Sequence, residues 1–118
     1  MSFNYNHVVL MGRLTQDPKI QTVAAQTRVT FVIAVDRPYK KHNCAHDTDF
    51  FNIVTWGKLA ELGAKLLSKG SPVLVDGRIQ IRPYEKNQQK FWFTEIVADK
   101  FELLELRYQK QEELLKVA

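Results

Sequence analysis

The sequence predicts an all-β domain with one short helix, in which five strands close into a small Greek-key barrel. Two features of the pattern support this fold class: five segments have strand-like apolar patterning, and one segment between the third and fourth strands has helical spacing. Size is the third observation, because 118 residues with 45% apolar and 25% charged residues suit one domain with one core. Such a core leaves little room for an enclosed substrate cavity, so we expect function on a face or in a groove.

The first two strands are predicted at residues 7–14 and 28–36. The first is apolar on both faces, followed by an Asp17–Pro18 turn, and Gly12 marks a bulge or bend where the sheet curls. The second alternates strictly, with Val29 and Phe31 beginning one face.

The third strand is predicted at 48–56, after a polar stretch that makes this pair a long hairpin. From Lys58 to Ser68 the apolar residues recur at helical spacing, and Lys69–Gly70 supplies a stop signal. Two further strands, 72–84 and 90–106, flank a polar turn at 85–89. This order is typical of the OB-fold barrel, which offers one face to oligonucleotides, and a split sandwich is the alternative.

Period-two counting predicts an outward face that carries aromatic and basic side chains. On the fourth strand the two faces differ in polarity. Ile79 and Ile81 share one face, and the opposite face carries a polar set that does not suit a core. That outward set is Arg78, Gln80, Arg82 and Tyr84. On the third strand, one face carries Phe50, Asn52, Val54 and Trp56, although a barrel interior could also hold Phe50 or Trp56.

Basic residues accompany these rings. Tyr39 lies among the basic residues of segment 37–41, and the whole chain carries a formal charge of +4. Unpaired bases expose π-faces that stack on aromatic rings, and phosphates need counter-charge, so aromatics interleaved with cations indicate single-stranded nucleic acid. Taken singly, each of these charges is more often plain solvated surface.

Four segments resemble the bacterial single-stranded DNA-binding protein family: HVVLMGRLTQDP at 7–18, TDFFNIVTWGKLAE at 48–61, KGSPVLVDGRIQIRPYE at 69–85 and FTEIVAD at 93–99. The resemblance implies an OB-fold subunit of a cytoplasmic, nucleoid-associated homotetramer that binds single-stranded DNA. It places the family's stacking residues at Tyr39, Phe50, Trp56 and Tyr84, and its phosphate-contacting or nearby cations at Lys40, Lys58, Lys69 and Arg82. It also implies subunit contacts at 6–9 and near Phe51. Lys41, Arg78 and Trp92 complete the predicted DNA-binding set.

The chain departs from the family pattern at the hairpin tip 42–47, in the aromatic fifth strand with Trp92 and Phe93, and at the C-terminus. We expect a DNA-binding domain over 1–105 and a tail over 106–118, either a short helix or frayed, without the acidic tip that recruits other enzymes.

Other chemistry is poorly supported. His42, Cys44 and His46 are possible zinc ligands, but their spacing and the lack of a second cluster favour a solvated loop, so no metal or cofactor is expected. Neither a nucleophile elbow nor a phosphate-binding glycine loop occurs, so an enzyme is not expected. The lone Cys44 and the lack of a long apolar run favour the cytoplasm. The alternatives are a primosomal-type OB-fold accessory protein and a protein-interaction barrel.

Overall fold

The computed structural model describes residues 3–38 and 47–104. Within these ranges the chain forms β1 (Val8–Leu14), β2 (Lys19–Val23), β3 (Gln26–Asp36), β4 (Thr48–Trp56), α1 (Gly57–Leu66), β5 (Pro72–Lys86) and β6 (Gln89–Leu103). None of the helical segments in the described part of the chain has the length and hydropathy needed to cross a membrane.

The strands form one sheet that closes on itself. Neighbours follow the order β1-β5-β6-β4-β3-β2, and the end of β1 also pairs with β3 through Arg13↔Ala34 and Leu14↔Ile33. All pairings are antiparallel except β4–β6, which is parallel. This closed circuit confirms the predicted OB-fold barrel and excludes two separate sheets.

Strand β2 was not predicted. It continues the first strand beyond the Asp17–Pro18 turn and pairs with the opposite end of β3, from Lys19↔Thr30 to Val23↔Gln26. All five of its residues are exposed, so neither face has to be apolar. The segment KIQTV accordingly lacks the apolar–polar alternation by which a half-buried strand is predicted.

The core lies between the inner faces of the strands and is closed at one end by α1. The helix contributes Ala60, Leu67 follows it into the same cluster, and Gly63 lies beside the Phe101 ring. The strands contribute Leu14, Val29, Phe31, Ile33, Ile53, Val73, Val75, Ile96 and Ala98. One buried hydroxyl, that of Thr55, donates to the Val29 carbonyl at 2.9 Å, so this polar group is satisfied inside the barrel.

Two glycines allow the sheet to close. A Cβ at Gly12 would collide with the Ala34 carbonyl, where β1 leaves β5 and turns towards β3, so the predicted bend at Gly12 is a close approach of two backbones. The register shift lies elsewhere, between Asp76 and Gly77, and there a Cβ on Gly77 would collide with the Val97 carbonyl.

The strands of the β5–β6 hairpin continue closer to the turn, and are more exposed, than the sequence predicts. A two-residue turn at Asn87–Gln88 joins the strands, and β6 ends at Leu103 rather than at residue 106. Ile79 and Ile81, which the sequence places opposite the polar face, are both exposed. The hairpin projects beyond the barrel, and its outer half faces solvent on both sides.

Candidate nucleic-acid interface

The outer faces of β3, β4, β6 and β5 form one continuous surface, which we call the aromatic face. Cross-strand register aligns Arg28 with Trp56 and Ala34 with Phe50, while the alternate pair Phe31↔Ile53 points into the core. On the hairpin, the outward pairs are Arg78↔Val97, Gln80↔Glu95, Arg82↔Phe93 and Tyr84↔Phe91. The period-two prediction of outward residues is therefore matched by the strand register.

Three of the predicted stacking rings are exposed on the aromatic face. Phe50 is 62% exposed, Tyr84 43% and Trp56 39%. These values decide between the two interpretations that the sequence left open for Phe50 and Trp56, because neither ring fills the barrel.

Neighbouring side chains hold the rings in place. The guanidinium carbon of Arg28 lies 5.6 Å from the Trp56 ring centroid, and that of Arg82 lies 5.4 Å from the Phe93 centroid. At the outer end of the hairpin, Tyr84 and Phe91 stack with centroids 5.4 Å apart and ring planes inclined by 22°. Aromatic rings and arginine side chains therefore lie next to one another on this face.

A buried carboxylate lies at the centre of this face. Glu95 is only 4% exposed, and its Oε1 accepts a hydrogen bond from Gln80 Nε2 at 3.0 Å. The same oxygen lies 3.5 Å from Arg82 Nε, and Oε2 lies 4.0 Å from Arg28 Nη2. The acid is thus flanked by both arginines that contact aromatic rings.

Two shallow grooves run across the face and meet at Asn52, Phe93 and Glu95. The larger, of about 480 Å³, lies between the β1–β2 connection and the outer sides of Arg28 and Arg82. The smaller, of about 390 Å³, lies where β4 and β6 diverge, between Phe50 and Trp92. Their shared lining makes them one open channel that passes Phe50, Phe93 and Arg82, which suits an extended polymer better than an enclosed small molecule.

A family model described as the single-strand binding protein family matches residues 5–104. The chain belongs to this family. Single-stranded DNA-binding protein 2 of Streptococcus agalactiae serotype III is 44% identical over 109 residues, which cover 90% of this chain and 82% of that protein. Single-stranded DNA-binding protein 1 of Lactococcus lactis subsp. lactis is 47% identical over 102 residues, which cover 85% of this chain and 68% of that protein.

The predicted cations occupy different parts of this family member. Arg78 and Arg82 are exposed on the aromatic face, where Arg78 Nη1 donates to Gln80 Oε1 at 3.3 Å. Lys58 is exposed on α1, and Lys69 is exposed in the turn after it, where its backbone N–H donates to Asp17 Oδ1 at 2.8 Å. Neither lysine lines the two grooves.

Trp92 stands apart from the other predicted rings. It pairs with Pro83 across the hairpin and therefore shares the reverse side with Ile81, not the outward side with Tyr84. It is nevertheless 67% exposed and reaches the smaller groove, where it lines the gap opposite Phe50.

The base of the β3–β4 hairpin is fixed by an ion pair. Arg37 donates to both carboxylate oxygens of Asp49, at 2.9 and 3.1 Å, and these hydrogen bonds hold the pKa of Asp49 below its ordinary value and raise that of Arg37. Tyr39, Lys40 and Lys41, the possible zinc ligands His42, Cys44 and His46, and the tail over 106–118 lie outside the described residues.

Sequence reasoning missed part of the site. Arg28 begins a mainly apolar strand segment, and Glu95 is a single acid in an apolar run, so neither residue was predicted to belong to the site. Period-two counting along β6 puts Phe91, Phe93 and Glu95 on one side, and this signal would have found them.

Proposed function

We propose that this chain binds single-stranded DNA with little sequence preference, and coats and protects it during replication, recombination or repair. The observation that carries this proposal is the set of outward rings Phe50, Trp56 and Tyr84, interleaved with arginines on one open face. Membership of the single-strand binding protein family supports the same ligand.

Binding combines stacking with phosphate neutralisation. Each base that stacks on a ring contributes about 1–3 kcal/mol, and because every base has a π-face, the contact tolerates any sequence. Arg78 and Arg82, exposed beside the rings, neutralise phosphates, and each such contact steepens the log–log salt dependence by about 0.7 for a single strand.

Further residues join this surface by their positions in the family pattern. We propose that Tyr39 supplies a fourth stacking ring, that Lys40, Lys41, Lys58 and Lys69 extend the basic surface, and that Trp92 contributes at its rim. Trp92 has the smaller role in this proposal because it faces the reverse side of the hairpin.

We also propose that four chains assemble into a homotetramer. Among residues 3–38 and 47–104, β1 pairs along Val8–Gly12 with β5 on one edge only, and Val9 and Met11 are exposed beside this open edge. An unpaired edge with apolar neighbours is a surface that a second copy can cover. Four chains that carry +4 each give a formal +16, which attracts a flexible polyanion around the assembly.

Alanine substitution of the rings tests the proposal. Trp56→Ala and Tyr84→Ala should each weaken binding of a fluorescein-labelled dT oligonucleotide about five- to hundredfold, because each removes a stacked base worth about 1–3 kcal/mol. Phe3→Ala removes an exposed ring that belongs to none of the strands of the aromatic face and should leave affinity unchanged.

Anisotropy titrations at fixed salt measure these affinities, and circular dichroism checks folding. Unchanged affinity in a folded Trp56→Ala/Tyr84→Ala double variant contradicts the assigned face. A wild-type chain that does not bind dT points instead to a protein-interaction barrel.

A further inference from the structure

We propose that Glu95, together with Gln80, is a positioning residue for strand binding, which holds Arg82 and Arg28 against the rings of the aromatic face. The inference deepens the proposed function and depends on it. A carboxylate at the centre of a face that binds a polyanion repels the ligand. Its presence there therefore calls for another role.

The contacts of Arg82 suggest that role. Its Nε faces Glu95 Oε1 at 3.5 Å, and its guanidinium carbon lies 5.4 Å from the Phe93 ring. The carboxylate and the ring therefore fix the Nε side of the guanidinium group. The side chain remains half exposed, and its outer N–H groups are therefore accessible to a phosphate.

Arg28 is held by the other carboxylate oxygen. Its Nη2 lies 4.0 Å from Glu95 Oε2, its Nη1 donates to Gln21 Oε1 at 2.9 Å, and its guanidinium carbon lies 5.6 Å from the Trp56 ring. With its side chain largely buried, Arg28 acts through Trp56, because it keeps that ring in a fixed orientation.

Gln80 completes the arrangement from the neighbouring strand. Its side-chain amide donates to Glu95 Oε1 at 3.0 Å and accepts from Arg78 Nη1 at 3.3 Å, so it links the carboxylate to a third arginine. A long arginine side chain that is already ordered loses less rotamer entropy when it meets a phosphate, and this gain offsets the repulsion from the carboxylate.

The charge-neutral variant Glu95→Gln separates positioning from plain electrostatics, because the two predict opposite signs. If Glu95 acts only as a negative charge, its removal tightens binding to dT and steepens the salt dependence. If it positions the arginines, Glu95→Gln weakens binding about three- to tenfold, and the log–log salt slope falls by up to about 0.7 as the Arg82 contact is lost. Affinity equal to or tighter than that of the wild type overturns the proposal.

Three further variants complete the test. Glu61→Gln removes the same charge from the exposed side of α1, outside the aromatic face, and should not weaken binding. Gln80→Ala leaves charge unchanged and should weaken binding about two- to threefold. In an Arg82→Ala background, Gln80→Ala should lose most of its effect, whereas Glu95→Gln should keep only the part that acts through Arg28 and Trp56.

Thermal unfolding checks that each variant folds. If Glu95→Gln does not fold, a double-mutant cycle between Gln80→Ala and Arg82→Ala tests the proposal instead. Additive losses of binding free energy in that cycle overturn it. Failure of the wild type itself to bind dT contradicts the proposed function, whereas normal wild-type binding with tighter binding by Glu95→Gln contradicts only the role of Glu95.

Discussion

The Trp56 side chain shows how a large ring can face solvent and still be ordered. Its N-terminal neighbours in β4 are buried, the helix α1 begins at the next residue, and Arg28 lies over the ring from β3. An exposed aromatic ring held by a cation keeps a free π-face and has little rotamer entropy left to lose when a base stacks on it.

The conservative substitution Arg28→Lys tests this account of a single residue. Lysine keeps the charge but lacks the planar guanidinium that packs on Trp56 and reaches Gln21 at the same time. We expect dT affinity to fall about two- to fivefold, which corresponds to the loss of one cation–π contact of about 0.5–1 kcal/mol. Arg13→Lys, an exposed matched change on β1, should leave affinity unchanged, and equal affinities for all three proteins would contradict the role of Arg28.

Much of the site was predictable at the scale of single residues, because alternation along a strand depends on the chain alone. Phe50, Trp56, Tyr84 and Arg82 all lie on the face that period two assigns to them. The contacts of Glu95 with Arg28 and Arg82 were not predictable in this way. They join three different strands, and only the register of the folded sheet brings those strands together.

Among the elements, the turns of the sheet are less regular than its strands. Ala24 and Ala25 form a two-residue hairpin turn with φ values of 49° and 65°, a left-handed conformation that alanine adopts at a cost. No glycine or asparagine marks this turn, and together with the exposed β2 this explains why the β2–β3 hairpin is not visible in the sequence.

Replacing Ala25 by glycine should relieve this backbone strain and stabilise the hairpin. Ala25→Gly removes a conformational cost of about 1 kcal/mol, so Tm should rise by roughly 4 °C for a chain of this size. Gly57→Ala is the opposite control, because φ there is 66° and a Cβ would meet open space, so strain alone should lower Tm by a similar amount. A Tm that does not rise in Ala25→Gly, measured by calorimetry at one protein concentration, contradicts a left-handed turn at this position.

For the whole molecule, the barrel fold followed from element order, whereas the proposed assembly surface came only from the family resemblance, which implies subunit contacts at 6–9. The open edge of β1 and the exposed Val9 and Met11 become visible only when β1 is seen to pair with β3 at its last two residues. We place the proposed assembly at this edge because apolar side chains beside unpaired backbone groups are stabilised when another strand covers them.

Light scattering tests assembly directly. A homotetramer of 13.7 kDa chains should give about 55 kDa for the wild type without dT, and a mass larger by that of the bound oligonucleotide with it. Val9→Glu/Met11→Glu should lower this mass, because two acids at the edge repel a second copy, while Ile20→Glu on exposed β2 should leave it unchanged. A double variant that keeps the full mass would show that subunits meet elsewhere.

The proposed function requires Trp56 to stack on unpaired bases, and one fluorescence titration measures this stacking. Trp92→Phe leaves Trp56 as the single tryptophan of the chain, so emission then reports that ring alone. We expect saturable quenching of Trp56 as dT is added, in step with binding followed by the anisotropy of a labelled strand. Tight binding with unchanged Trp56 emission would contradict it.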